Sequence, residues 1–186
     1  MNGFDAVYSY GSFEGSLRQL IHLFKFGGVQ PLARVFGSFM ALALPREQRF
    51  DLIVPMPLHW IRRWSRRYNQ ATLLAREVSK RWRVPLKNIV RRKRATAPQA
   101  GLSHARRRQN VAGAFSVKKK LDGLHILLVD DVLTTGASAS ACARALKRAG
   151  AARVTVLTLA RTDRRSGLSY QPETLAASAA AGSSFA

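Results

Sequence analysis

ILLVDDVLTTGAS, residues 126–138, decides how this chain is read. Ile126-Leu127-Leu128-Val129 is an uninterrupted apolar run, the pattern of a strand covered on both faces in a parallel sheet. Asp130 and Asp131 end the run, and Thr134-Thr135-Gly136 reads as a turn. A helix is predicted from Ser138 to Ala149 with Gly150 as its C-cap, and Arg153–Leu159 (RVTVLTL) as the next strand. Strand, helix and strand in that order make a right-handed parallel βαβ unit, so the expected fold is α/β with a doubly wound parallel sheet.

Ligands of such sheets bind outside the carboxyl ends of the strands. The turn Leu133–Ser138 lies there, directly before a helix N-terminus, where unpaired N–H groups and the helix dipole favour phosphate. Thr134, Thr135 and Ser138 add hydroxyl donors, and Gly136 allows close backbone approach. Two carboxylates beside a phosphate would repel it unless they serve sugar hydroxyls or Mg2+. Phosphate with hydroxyls a few ångströms away describes ribose 5-phosphate. Neither GxxxxGK(S/T) nor a GxGxxG after a strand is present, which argues against a P-loop NTPase and a dinucleotide fold.

Working outward, Leu17, Leu20, Ile21 and Phe24 form one helical stripe ended by Gly27-Gly28. Pro31 suits the first turn of a second helix carrying Leu32, Val35, Phe36, Phe39 and Met40. Asp51–Val54 is a short strand entering a loop rigid with Pro55 and Pro57. A third helix is expected from Asn69 to Arg83, with Leu74, Ala75, Val78 and Trp82 inward. Residues Arg91–Asn110 are basic and aperiodic, with Pro98 and Gly101, and read as a long mobile loop of the kind used for lids. Val111–Val117 returns as a strand. The Ala/Ser-rich residues from Gln171 onward are expected to be disordered.

Composition sets the partners. The net charge is +21, and 19 of the 31 basic residues lie between Arg62 and Lys120 against the single acid Glu77. Such a block favours phosphate-rich partners: nucleotides, pyrophosphate, nucleic acid or an anionic surface. Plain solvated surface charge is the competing reading. One cysteine, Cys142, excludes an internal disulfide framework and suits a reducing compartment. The longest near-apolar stretch, Val35–Leu44, is too short to span a bilayer, and no secretory signal is visible, so a cytoplasmic protein without membrane insertion is expected.

The stretch VDDVLTTGAS closely resembles the phosphoribosyl pyrophosphate (PRPP) motif of type I phosphoribosyltransferases. Further pieces match in order: Phe24-Lys25-Phe26-Gly27, VPMPLHW at 54–60, Tyr68-Asn69-Gln70-Ala71, Gln99-Ala100-Gly101-Leu102, Arg107-Arg108-Gln109-Asn110-Val111 and Ala114-Phe115. Together they resemble the ComF-like family of type I phosphoribosyltransferase-fold proteins over roughly residues 8–162. The resemblance implies a phosphoribosyltransferase-like domain over 1–165 with a flexible lid loop and N-terminal helices, then a tail over 166–186.

It also implies roles. Asp130 and Asp131 would contact the ribose hydroxyls and act as the catalytic pair. Thr134, Thr135, Gly136, Ala137 and Ser138 would cradle the 5-phosphate. Pyrophosphate would lie on the loop with Pro57, near Arg62, Arg63, Arg67, Asn69 and Gln70, with Mg2+ shared between it and the ribose. Gln99, Arg107 and Asn110 would belong to the lid, needed because an oxocarbenium-like state at C1 must be kept from water. Three departures stand out. The family's N-terminal cysteine-rich zinc module is missing from this sequence, so no zinc is expected. Arg67 stands where the family commonly has glycine in RGFNQ, and Arg106 where an acid is common.

His22, His59, His104 and His125 have no metal-ligand spacing and read as surface or supporting residues, with His59 the one nearest the presumed pyrophosphate loop. Cys142 reads as core packing. Trp60, Trp64 and Tyr68 are either stacking platforms for single-stranded nucleic acid or hydrophobic anchors of a loop. Lys25 reads as an exposed helix-end lysine, with a place in the ligand cleft as the alternative. Two functions remain open: Mg2+-dependent transfer of a phosphoribosyl group from PRPP, or a non-catalytic adaptor in DNA uptake or utilisation that contacts single-stranded DNA or DNA-processing proteins.

Overall fold

The computed structural model describes residues 3–58, 68–92 and 113–162. Four parallel strands form the central sheet in the order β1 (Ala6–Ser12), β6 (Arg153–Arg161), β5 (His125–Leu133) and β2 (Leu52–Pro55). A short antiparallel pair, β3 (Val90–Arg92) with β4 (Phe115–Val117), stands beside it. The expected tail lies outside the described residues, as does most of the expected lid.

Residues alternate across a strand, and the two faces of the sheet carry different helices. Ile126 and Leu128 pack with Ala139, Cys142, Ala143 and Leu146 of the helix Ala137–Arg148, called α4. Leu127 and Val129 face the other way, toward α1 (Gly15–Phe26), α2 (Leu32–Leu42) and α3 (Gln70–Trp82). All four of these β5 side chains are fully buried, each worth about 1.5–3 kcal/mol of hydrophobic transfer. The helices of the second layer approach closely: a Cβ built on Gly37 would lie 2.3 Å from Glu77 Cβ.

Several sequence expectations need adjusting. β5 does not end at the aspartates but continues to Leu133, because β6 keeps pairing with it through Val132 and Leu133. β2 pairs only to Pro55, opposite Val129, so the last four residues of β5 overhang its neighbour and a crevice opens there. Arg91 and Arg92 belong to β3 rather than to a loop, held by pairing with Ser116 and Phe115. Val35 is 47% exposed, since α2 buries Ala33, Phe36, Gly37 and Met40 instead. Trp82 is half-buried, its indole N–H donating to Ala41 O. Ala149 is the C-cap of α4, with Gly150 one residue on at φ 103°. β1 has no counterpart among the expected elements.

The amino-terminal segment is stapled onto α4. Gly3 N donates to Ser140 Oγ at 2.7 Å, Lys147 pairs with Asp5 at 2.6 Å, and Asp5 Oδ2 accepts from Val154 N. Phe4 thereby comes to rest against the turn at Gly136.

Candidate functional site

A cleft of about 270 Å³ opens where β5 overhangs β2. Its walls bring together Asp130–Ala139, Met56–Leu58 from the loop after β2, Asn69–Ala71 at the start of α3, Phe13 after β1, Lys25 of α1 and Arg92 of β3. Asp130, Asp131, Thr134, Thr135, Gly136, Ala137, Ser138, Pro57, Asn69 and Gln70 thus meet in one place. Arg62, Arg63, Arg67, Gln99, Arg107, Asn110 and His59 lie outside the described residues.

The turn is built for an anion. Gly136 sits at φ 71°, ψ 0°, a left-handed conformation that glycine adopts without strain, and it caps α4. Ser140 N is the amide that bonds back to Gly136 O, and Thr135 Oγ1 accepts from Ala137 N at 3.3 Å. The Ser138 and Ala139 amides belong to the first helical turn, which has no carbonyl partner of its own within the helix. Thr134 and Thr135 are exposed, with Ser138 half-buried at the rim.

The two aspartates are not side by side in function. Alternation along β5 sends Asp130 to the α4 face and Asp131 to the α1–α3 face. Removal from water, then the neighbouring Asp131 carboxylate, pushes the Asp130 carboxyl up to about 7; Asp131 N–H, Lys25 and Arg92 pull the other way. The Asp131 amide donates to Asp130 Oδ1 at 2.9 Å. Asp131 itself pairs with Lys25, Nζ to Oδ2 3.0 Å, with the two side chains only 15% and 14% exposed. Lys25 is therefore a cleft residue, not the exposed helix-end lysine its position suggested. Both aspartates line the cleft rather than the hydrophobic core.

Residues 68–70 hold that wall together. The Tyr68 hydroxyl donates to Phe24 O and its ring lies against the Phe24 ring, so Tyr68 anchors a loop. Gln70, 1% exposed, donates from Nε2 to Lys25 O at 3.3 Å. Among the described residues its Oε1 is buried without a hydrogen-bond partner, an acceptor open to a donor brought by a ligand or water. Asn69 caps α3 by accepting from Ala71 N, and its Nδ2 donates to Met56 O, fixing the loop that carries Pro57. Asn69 thus positions the loop through its side chain.

Arg92 was hidden in the sequence among Arg91, Lys93 and Arg94. Only the pairing of β3 with β4 sets its guanidinium 5.4 Å from the Phe115 ring and at the cleft wall. Cys142 lies beneath Asp130, fully buried, and burial pushes its thiol up, so it is inert packing. Among the described residues no group of three or more His, Cys, Asp or Glu side chains could hold a metal. The donor set is two carboxylates, which suits Mg2+ only when a ligand's phosphate oxygens complete its coordination.

The chain is similar to several known proteins. Residues 69–174 match the phosphoribosyl transferase domain model. Competence protein F of Haemophilus influenzae is 35% identical over 167 residues, covering 84% of this chain and 73% of that protein. DNA utilization protein YhgH of Escherichia coli K12 is 36% identical over 156 residues, covering 78% of this chain and 67% of that protein. Among solved structures, the glutamine PRPP amidotransferase of Bacillus subtilis aligns with a TM-score of 0.48 and 19% identity, covering 69% of this chain and 26% of that one.

Proposed function

We propose, from the premise that this chain belongs to the ComF-like family of phosphoribosyltransferase-domain proteins, that its cleft binds PRPP together with Mg2+ and serves DNA uptake or utilisation in the cytoplasm. The observation that carries the reading is the overhang of β5. It sets the turn at Gly136 and the start of α4 beside Asp130 and Asp131 in one cleft. The 5-phosphate lies on the Thr134–Ser138 turn, where amides and hydroxyls donate. Asp130 and Asp131 accept from the ribose hydroxyls, one from each side of the strand. Mg2+, when bound with the ligand, neutralises the pyrophosphate; Lys25 and Arg92 supply positive charge on opposite walls. Phosphoribosyl transfer at C1 is the chemistry such a site serves, with Arg62, Arg67, Gln99, Arg107 and Asn110 proposed at the pyrophosphate and lid.

Calorimetric titration of the full chain with PRPP, with and without Mg2+, tests the binding. Micromolar, Mg2+-strengthened binding is expected, and no heat at millimolar PRPP sinks the reading. Incubation with PRPP and individual nucleobases, read by pyrophosphate release, tests transfer.

A second reading is favoured by a separate surface. Lys118, Lys119, Lys120 and Arg148 line a groove of about 570 Å³ at the far end of α4 from the cleft. None of the four has an ion-pair partner among the described residues. Such a groove suits the phosphates of single-stranded DNA, and the family's PRPP site would then sit on an adaptor. Gel-shift titration with short oligonucleotides at low and high salt tests it. No helix among the described residues is long and apolar enough to cross a membrane.

A further inference from the structure

Lys25 occupies an unusual place for a lysine in the last turn of a helix. Such side chains ordinarily reach into water, where they complement the helix dipole. This one is 15% exposed and directed into the cleft, and its attachment is fixed from behind. Tyr68 and Gln70 hydrogen-bond the Phe24 and Lys25 carbonyls, two acceptors that the end of α1 would otherwise present to solvent. The ammonium stands 6.0 Å from the Phe13 ring centre and 3.0 Å from Asp131. An ammonium has three N–H donors, and among the described residues its ion-pair partner is Asp131, so donor capacity remains for a ligand.

The orientation of a bound phosphoribosyl group follows from the cleft. With the 5-phosphate on the Thr134–Ser138 turn and the hydroxyls on the carboxylates, C1 and its substituent point away from the turn. On the Asp131 side of β5, the cation lining the cleft among the described residues is Lys25.

We infer that Lys25 is a ligand-contacting residue, an ammonium that exchanges Asp131 for the diphosphate on C1 of a phosphoribosyl ligand. This rests on the proposed PRPP reading of the same site and deepens it. The exchange replaces one charge-assisted bond with another and frees Asp131 to accept from a ribose hydroxyl. The alternative role is purely structural, with Lys25 doing no more than neutralising Asp131.

Calorimetry on the full chain at fixed Mg2+, with PRPP and ribose 5-phosphate as probes, separates the two. Lys25→Met is expected to weaken PRPP roughly ten- to a hundredfold, as loss of a charge-assisted bond should. Ribose 5-phosphate, which lacks the diphosphate, should change by less than about threefold, and Lys25→Arg should recover most of the PRPP affinity. Unchanged PRPP affinity, or equal losses for both probes, overturns the inference while leaving the PRPP reading intact. If the wild-type chain binds neither probe, both fall together. Should Lys25→Met not fold, Lys25→Gln keeps the hydrogen bonding without the charge and carries the same comparison.

Discussion

Lys25 Nζ stands 3.0 Å from Asp131 Oδ2, while Asp130, one residue back, carries a carboxyl pushed up to about 7. Adjacent acids on one strand thus have opposite electrostatic surroundings. Asp131 has a cation in contact; Asp130 has burial and a like charge. Partly buried ion pairs add little net stability, so the Lys25–Asp131 pair matters more for which charges the cleft presents than for holding the fold together.

The pH dependence of stability should report Asp130. Its folded-state value lies above its unfolded one, so folding favours the protonated form. That contribution is complete below the ordinary carboxylate range and is lost as pH rises through about 7. The wild type should lose on the order of 1–3 kcal/mol relative to Asp130→Asn between pH 5 and pH 8 in urea titrations. Parallel curves for the two proteins would refute a perturbed Asp130.

The same substitution should weaken PRPP. Asp130→Asn combined with Asp131→Asn is expected to abolish detectable PRPP binding while near-ultraviolet circular dichroism stays native. Retained affinity would remove the ribose role assigned to both residues.

Gly136 is the residue of the turn least open to change. At φ 71°, any side chain adds about 1–2 kcal/mol of backbone strain, although a Cβ there would meet Leu133 and Phe4 only at ordinary contact distance. Gly136→Val should lower stability by that amount and PRPP affinity by at least tenfold, measured by thermal unfolding and calorimetry. A variant with full affinity would show that the turn does not hold the phosphate.

The basic groove makes a separable prediction. Changing Lys118, Lys119 and Lys120 together to Gln should reduce the slope of log affinity against log salt for single-stranded DNA by about 2, at roughly 0.7 per phosphate contact. PRPP binding should not move. An unaltered salt slope would place any DNA contact elsewhere.

Packing offers a test of the second helical layer. Gly37→Ala drives a methyl toward Glu77 Cβ, which is fixed on α3, and should cost about 1–3 kcal/mol by denaturant unfolding. A neutral result would mean that α2 and α3 can move apart freely.

Much of this was legible in the residues. The apolar run Ile126–Val129, the Gly136 turn and the helix after it were readable because each obeys a local rule: strand burial, left-handed glycine, helix entry. The three N-terminal and central helices followed from their apolar spacing. What escaped was set by long-range contacts. The end of β5 depends on β6 pairing beyond Asp131, and Arg92 differs from Arg91 only through its partner Phe115. Lys25 meets Asp131 at a helix end whose carbonyls are held by Tyr68 and Gln70, more than forty positions away, which no helix-end rule can foresee. β1 carries Val7, Tyr8 and Tyr10, a β-favouring composition that could have been noticed.

The amino-terminal staple has a practical side. Because Gly3 bonds to Ser140 and Phe4 rests by Gly136, any polypeptide fused ahead of residue 3 starts from the side of α4, next to the residue that packs behind the binding turn. A purification handle placed there would pull on the Gly3–Ser140 bond that seats Phe4. Strain put on that staple would reach the ligand turn through Phe4, so the choice of fusion end bears on affinity even though nothing is attached to the cleft itself.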